Sequence, residues 1–351
     1  MDLKQMSEFV LFHVILGTLG VALFGIIVGL FYKGIDRKIA AHMQGRIGPP
    51  IRQPFRDVVK LFAKENIIPE NSIPWVFNLV PVLGLVASIS ILLYLPLAGF
   101  SPLLSLNGDI ILILYLLIFP SLAMVIGGFA SGSPYAVVGA QREMATMIAY
   151  EFPLAIIIIS IATRLIQDGA VNVFALSTIV STPVWSIVGP LGFIGLVILL
   201  FILLLVTPAE LSKIPFDSPE AETEIAGGLL VEYSGRNLAM FYLTDGVKTI
   251  AMASIIVALF FPYNLSALLG LESIAGYAVD IVFFLLKIFL VVLFSVTLIR
   301  VGIARLRIDQ IVYTYWIPLT LFGLVGLICI MWDSTTIISY GWPTVLELIG
   351  L

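Results

Sequence analysis

Cysteine, histidine and charge are all scarce in this chain. The single cysteine, Cys329, lies in an apolar run; alone it closes no internal disulfide, and one thiol holds neither a metal nor an iron–sulfur cluster. The two histidines, His13 and His42, are too few and too scattered for a metal site or a haem pair. Any redox cofactor is therefore expected in another chain. Charged residues make up only 11% of 351 positions, which excludes a separate soluble domain, and no nucleic-acid partner is expected. There is no P-loop, no GxGxxG ahead of a strand–helix unit, no zinc spacing and no nucleophile elbow. No bond-breaking reaction is expected from this polypeptide alone, and no catalytic residue is assigned. Low-complexity tracts are missing, as is an internal repeat, which counts against transporter folds built from two related halves.

Apolar residues are what the chain has in abundance: 60% of the sequence is hydrophobic and the mean hydropathy is +1.12. Several uncharged windows are longer than about 18 residues, the length that marks a spanning helix. In lipid such windows satisfy their backbone hydrogen bonds only as helices, and the alternating short strands of a membrane barrel do not occur. The pattern predicts one all-α polytopic membrane domain over 1–351. Eight spans are expected at roughly 9–32, 75–98, 110–130, 144–163, 187–206, 238–261, 281–300 and 313–333. The N-terminus lacks a basic n-region with a cleavage site, so the first run is read as a retained span. Segment 165–186 reads as an outer loop with a short surface helix.

Lys and Arg divide unevenly between the loops. Loops 33–74, 131–143, 207–237 and 301–312 carry fourteen of them, whereas the opposite face has only Lys4 and Arg164. The positive-inside rule puts the first set in the cytoplasm and both termini outside, in a multi-pass cell-membrane protein. In the first of these loops Ile51, Phe55, Val58, Val59 and Phe62 share one helical face, and Arg52, Arg56, Lys60 and Lys64 another. That is a basic amphipathic helix at the interface, suited to anionic lipid or to a soluble partner. The preceding Gly45-Arg46-Ile47-Gly48-Pro49-Pro50 predicts a tight non-helical turn.

Between two apolar runs, segment 207–237 gathers Glu210, Asp217, Glu220, Glu222, Glu224 and Glu232. Ser218 is placed to cap a helix that has Pro219 in its first position, so that Glu220 and Glu222 complement the helix dipole. Asp217, Glu220 and Glu224 then fall at i, i+3 and i+7, a stack of like charges whose pKa values rise together. Ionisable residues within spans are functional candidates by default. Glu143 and Glu151 belong to the fourth span, with Tyr150 a plausible partner of Glu151. Asp245 and Lys248 in the sixth are spaced to pair locally. Asp280 and Lys287 lie near the start of the seventh, where Lys287 either snorkels or faces the bundle interior. His13, alone on an apolar helix, reads as a packing residue.

Taken in order, GRIGPP with QPFRDVVKLFAKENIIP, AQREMATMIAYEFPL, PFDSPEAETEIAGGLLVEYSG with FYLTDG, and RLRIDQ resemble one family. It is the membrane component of respiratory complex I called NADH dehydrogenase subunit 1, with its relatives in energy-converting hydrogenases. The resemblance implies a subunit that anchors a hydrophilic redox arm. It implies a soluble iron–sulfur small subunit and a large hydrogenase-like subunit on the cytoplasmic face, and antiporter-like subunits in the bilayer. Iron–sulfur clusters, and a NiFe centre where the large partner contains one, belong to those partners; this chain binds no cofactor or metal. The ion-coupling path implied here runs through Glu143, Glu151, Glu210, Asp217, Glu220, Glu222, Glu224, Glu232, Asp245 and Lys248. Docking falls to Arg46, Arg52, Arg56, Lys60 and Arg236. Quinone-reducing members usually read NRIGPNRVGP in the first loop, whereas here GRIGPP runs almost directly into IRQPFRD. That favours the ferredoxin-oxidising, hydrogenase-like group, including its sulfur-reducing relatives. A quinone-tunnel subunit and a stand-alone secondary ion transporter stand as alternatives.

Overall fold

A computed structural model describes residues 3–270, 274–340 and 344. Eight helices are long and apolar enough to cross a membrane, and no β-strand occurs among the described residues. The first is α1 (Leu3–Met43), followed by the short α2 (Gln53–Ala63), α3 (Pro74–Tyr94), α4 (Asp109–Ala130) and α5 (Pro134–Gln167). The short α6 (Leu176–Ser181) precedes α7 (Pro190–Glu210), and α8 (Glu222–Ile225) is a single turn before α9 (Gly235–Phe260). After α10 (Leu265–Leu269), α11 (Ile274–Val292) passes through a π-turn at Leu293–Thr297 into α12 (Leu298–Gly302). In the same way α13 (Ile308–Thr314) passes through Tyr315–Leu319 into α14 (Thr320–Tyr340).

The sixth span, α9, is the axle of the bundle. Almost all of it is buried, and α1, α2, α3 and α11 pack around it. The other spans leave one face open, as lipid-facing helices do: Ile15, Leu19, Leu23, Ile27 and Phe31 form an exposed i, i+4 stripe on α1. Small residues set the closest crossings. A Cβ on Gly29 would lie 2.5 Å from the Gly246 carbonyl oxygen, so α1 and α9 touch backbone to backbone there. A Cβ on Gly195 would lie 2.8 Å from the carbonyl of Gly326, which brings α7 against α14.

Two helices extend well past their expected ends. α1 continues through the charged GIDRKIAAHM to Met43 instead of stopping at 32. Its polar turns are covered by α2 and by the loop before it, so leaving the apolar run does not end the helix. It stops where Gly45 adopts φ +72 and the Arg46 amide donates back to the Ala41 carbonyl at 3.0 Å. α5 starts at Pro134 rather than 144, which takes Arg142 and Glu143 out of a loop and onto a helix. Segment 165–186 does contain a short helix, α6, with Leu176 and Ile179 buried rather than lying on the surface.

The basic helix forms at α2 with a narrower buried stripe than expected. Pro54 and Val58 are buried, whereas Val59 and Phe62 are exposed. Arg52, Arg56 and Lys60 all face outward, as do Arg46 and Arg236. The reading of the His13 side chain lies outside the described residues.

Candidate functional site

The close Gly29–Gly246 crossing brings Lys33, one turn further along α1, against Asp245. Lys33 Nζ lies 2.6 Å from Asp245 Oδ2. From the loop after α7, Lys213 Nζ reaches the same carboxylate, at 2.5 Å from Oδ1 and 2.7 Å from Oδ2. Tyr242, a turn earlier on α9, lies under Lys33 with its ring centroid 3.4 Å from Nζ. The Tyr242 hydroxyl accepts from Arg37, which also pairs with Asp57 at 3.3 Å. Glu220 completes this first group. Burial pushes its carboxyl up, Lys213 opposes that shift, and Asp245 adds to it. For Lys213 burial pulls the ammonium down, but Asp245 more than compensates and leaves it above the ordinary lysine value.

A second group lies deeper, between α4, α5, α7 and α9. Lys248 Nζ is 2.8 Å from Glu210 Oε1 and donates to Ser121 Oγ at 2.7 Å. Glu143 faces the same ammonium and the same serine, and accepts from Ser212 Oγ at 3.3 Å. The Tyr150 ring fills the remaining side, nearest Glu210 and Glu143. Glu143, Glu210 and Lys248 are 1%, 2% and 3% exposed. Two carboxylates thus share one ammonium out of water, an excess of negative charge that one bound proton would neutralise.

One cavity of about 80 Å³ joins the two groups. Lys33, Lys213, Glu220 and Asp245 line one side of it, and Glu210, Ser212 and Lys248 the other. Pro120 of α4 also faces it; a proline within a helix leaves a carbonyl of the preceding turn without its usual amide, a further acceptor beside the cavity. The site offers closely spaced acceptors and donors of alternating charge, with room for ordered water between them. That arrangement carries protons or small cations; it holds no nucleophile poised against an acceptor carbon.

Sequence reasoning therefore gathered the right acids but paired them wrongly. Asp245 and Lys248 do not pair with each other. Three residues apart on α9, they diverge enough that Asp245 meets α1 while Lys248 meets α4 and α7. The like-charge stack is absent as well. Ala221, extended at φ −63 and ψ 99, separates a 3₁₀ turn at Ser218–Glu220 from α8, so Asp217, Glu220 and Glu224 point apart. Asp217 takes Arg305 through both oxygens, at 2.9 and 2.5 Å, and Glu224 takes Arg142 at 2.6 Å. Ser218 sits inside the turn and its side chain caps nothing. Tyr150 turns toward Glu210 rather than its neighbour Glu151, which is only half-buried. Glu222 is exposed, and Glu232 is half-buried at the far end of the loop. At the opposite end of the bundle Asp280 accepts from the Ser266 amide and hydroxyl, and Lys287 donates to the carbonyls of Phe261 and Tyr263.

Lys33 and Lys213 are the residues that sequence reasoning missed, having counted only as loop charges. Their signal was weak but present. Lys33 stands four residues before Arg37 on one face of an unbroken helix, and Lys213 follows Glu210 by three.

The acidic loop is seated by backbone contact. A Cβ on Gly139 of α5 would lie 2.7 Å from the Leu229 amide nitrogen and 2.9 Å from the Pro219 carbonyl oxygen. The loop is thereby pressed onto the helix that carries Glu143.

Comparison with known proteins agrees with this arrangement. The family model described as NADH dehydrogenase matches residues 16–331. A membrane component of the NADH-quinone oxidoreductase of Brevibacillus brevis is 34% identical over 317 residues, covering 87% of this chain and 89% of that protein. NADH-ubiquinone oxidoreductase chain 1 of Sminthopsis macroura is 34% identical over 305 residues, covering 83% and 88%. Among solved structures, a chain of the membrane-bound sulfane sulfur reductase, an archaeal respiratory membrane complex, matches with a TM-score of 0.76 at 29% identity. It covers 90% of this chain and 99% of that one. The chain belongs to the NADH dehydrogenase family, as a membrane subunit of a respiratory-type oxidoreductase complex.

Proposed function

We propose that this chain anchors and energetically couples a ferredoxin-oxidising, hydrogenase-like complex, either a hydrogenase or a sulfur reductase. Soluble partners holding the iron–sulfur clusters, and a NiFe centre in a hydrogenase, dock at the exposed Arg46, Arg52, Arg56, Lys60 and Arg236. We place that end in the cytoplasm and both termini outside, in line with the loop charges. Electron transfer in the docked arm changes the charge facing Glu220 and Lys213. Their response shifts Lys33–Asp245, and through the shared cavity shifts Glu210, Glu143 and Lys248. Antiporter-like membrane subunits then move H⁺ or Na⁺. Glu151, Asp217, Glu222, Glu224 and Glu232 flank this path, Asp217 and Glu224 holding the loop in place through their arginines.

The observation that carries this reading is the single cavity joining two oppositely unbalanced charge groups. Coupling of this kind needs a two-state element that the redox site biases, and a shared proton between Glu143 and Glu210 supplies one. The short GRIGPP-to-QPFRD connection and the likeness to the sulfane sulfur reductase chain support ferredoxin as donor. A quinone-tunnel role is the second reading, favoured by the curated relatives named quinone oxidoreductases.

An assay of the purified complex with reduced ferredoxin and with a short-chain quinone separates the two. Ferredoxin oxidation that builds an ion gradient in liposomes without quinone supports the first reading. An obligatory requirement for quinone would replace it with the second.

A further inference from the structure

At the bundle end that carries the acidic loop, a second polar cavity of about 350 Å³ opens between the last turns of α1 and α12. Arg37, Arg46 and Arg300 line it together with Ala40, Gln44 and Gly48, and no carboxylate does. The floor is built by the GRIGPP turn. A Cβ on Gly48 would lie 2.8 Å from the Ala41 Cβ and 3.1 Å from the Lys38 Cα, so the turn lies flat against α1. The π-turn of α11 sets the opposite wall. It brings Thr297 Oγ1 to 2.7 Å from Asp36 Oδ1, and Arg300 Nη1 to 2.9 Å from Asp36 Oδ2.

Each guanidinium has donors to spare. Arg37 gives one nitrogen to Asp57 and another to Tyr242, Arg300 gives one to Asp36, and Arg46 spends two on the neutral Gln44 amide. An arginine has five N–H donors, so the cavity is walled by cationic N–H groups that still lack an anionic acceptor. Planar guanidiniums around one space suit the oxygens of a phosphate.

Position decides which phosphate. Arg37 and Arg300 both belong to helices of spanning length, Val14–Met43 and Ile274–Gly302, near the ends where they leave the bilayer. The flanking Met43, Ile47 and Ile303 are 47%, 97% and 43% exposed, so apolar side chains border the charged space. A headgroup phosphate with acyl chains beneath it fits both features; a free ion uses only the first. We propose that this pocket binds the phosphate of an anionic membrane lipid, fixing the GRIGPP turn against α1. The assignment does not depend on which electron donor the complex uses.

The test is native mass spectrometry of the purified, delipidated complex titrated with dioleoyl phosphatidylglycerol, dioleoyl phosphatidylcholine or inorganic phosphate. Arg46→Gln is the informative variant, because Arg46 is exposed and supports no buried acid; Arg300→Gln is a second. Loss of one charged hydrogen-bonding group should weaken phosphatidylglycerol retention on this subunit about tenfold, with Arg46→Lys intermediate. Phosphatidylcholine should bind more weakly, since its ammonium opposes the guanidiniums. Equal retention by wild type and Arg46→Gln would overturn the site. So would inorganic phosphate displacing the lipid at comparable concentration, which marks a free-ion site. Loss of a soluble subunit from Arg46→Gln with lipid retention unchanged would reassign the pocket to a protein interface.

Discussion

Lys248 Nζ and Glu210 Oε1 lie 2.8 Å apart, with both side chains almost fully buried. The pair is compensated only while both partners are present. Removing the ammonium by Lys248→Met leaves Glu210 and Glu143 facing each other in a dry cavity, and breaking a buried pair of this kind costs about 3–5 kcal/mol. The double change Lys248→Met with Glu210→Leu should recover most of that loss, because no charge is stranded. Thermal unfolding of the purified complex, read on this subunit, measures both.

Glu220 supplies a pH test. Burial pushes its carboxyl above the ordinary value of 4.5, so the folded state holds this proton more tightly than the unfolded chain does. The contribution is fully present below the unfolded pKa and is lost as pH rises through the folded one. Glu220→Gln removes the dependence. Melting curves of this variant should fall less steeply with pH from about 4.5 upward, and the variant should be at least as stable as wild type at neutral pH.

Gly139 tests how the loop is held. Alanine there drives a methyl into the Leu229 amide and the Pro219 carbonyl, both backbone atoms that yield only if the loop moves. A cost of about 1–3 kcal/mol is expected. Limited proteolysis should show faster cleavage within 217–232 in Gly139→Ala, whereas Gly108→Ala, where nothing lies within 4 Å, should leave that segment's cleavage unchanged.

The Arg305–Asp217 bond anchors the start of the same loop through two oxygens. That bond is the leading reason the Arg305 guanidinium lies above its ordinary value, against opposition from burial. Lysine keeps the charge but not the fork. Arg305→Lys should therefore behave more like Arg305→Gln than like wild type in the same proteolysis assay.

Much of the bundle was legible because the bilayer enforces it. Runs such as Ile187–Val206 have only one way to satisfy their backbone in lipid, and α7 occupies 190–210. Helix ends were less legible, since α1 and α5 continue under cover from other segments that periodicity does not register. Within the site, Glu143, Glu210 and Lys248 stood out as charges inside apolar helices. Their partners did not, because pairing depends on which helices touch. The backbone contact of Gly29 with Gly246 delivers Lys33 to Asp245, and two glycines far apart in the chain carry no sign of it. The extended Ala221 likewise dissolved a stack that spacing alone implied.

The central claim is that the buried groups couple electron transfer to ion movement. It is tested most directly by measuring ions translocated per electron in liposomes holding the intact complex with Glu143→Gln and Glu220→Gln, beside the exposed Glu222→Gln as control. The account predicts that Glu222→Gln pumps normally, while the other two retain electron transfer with little or no translocation. Full translocation at the normal electron-transfer rate in both buried-site variants would contradict it.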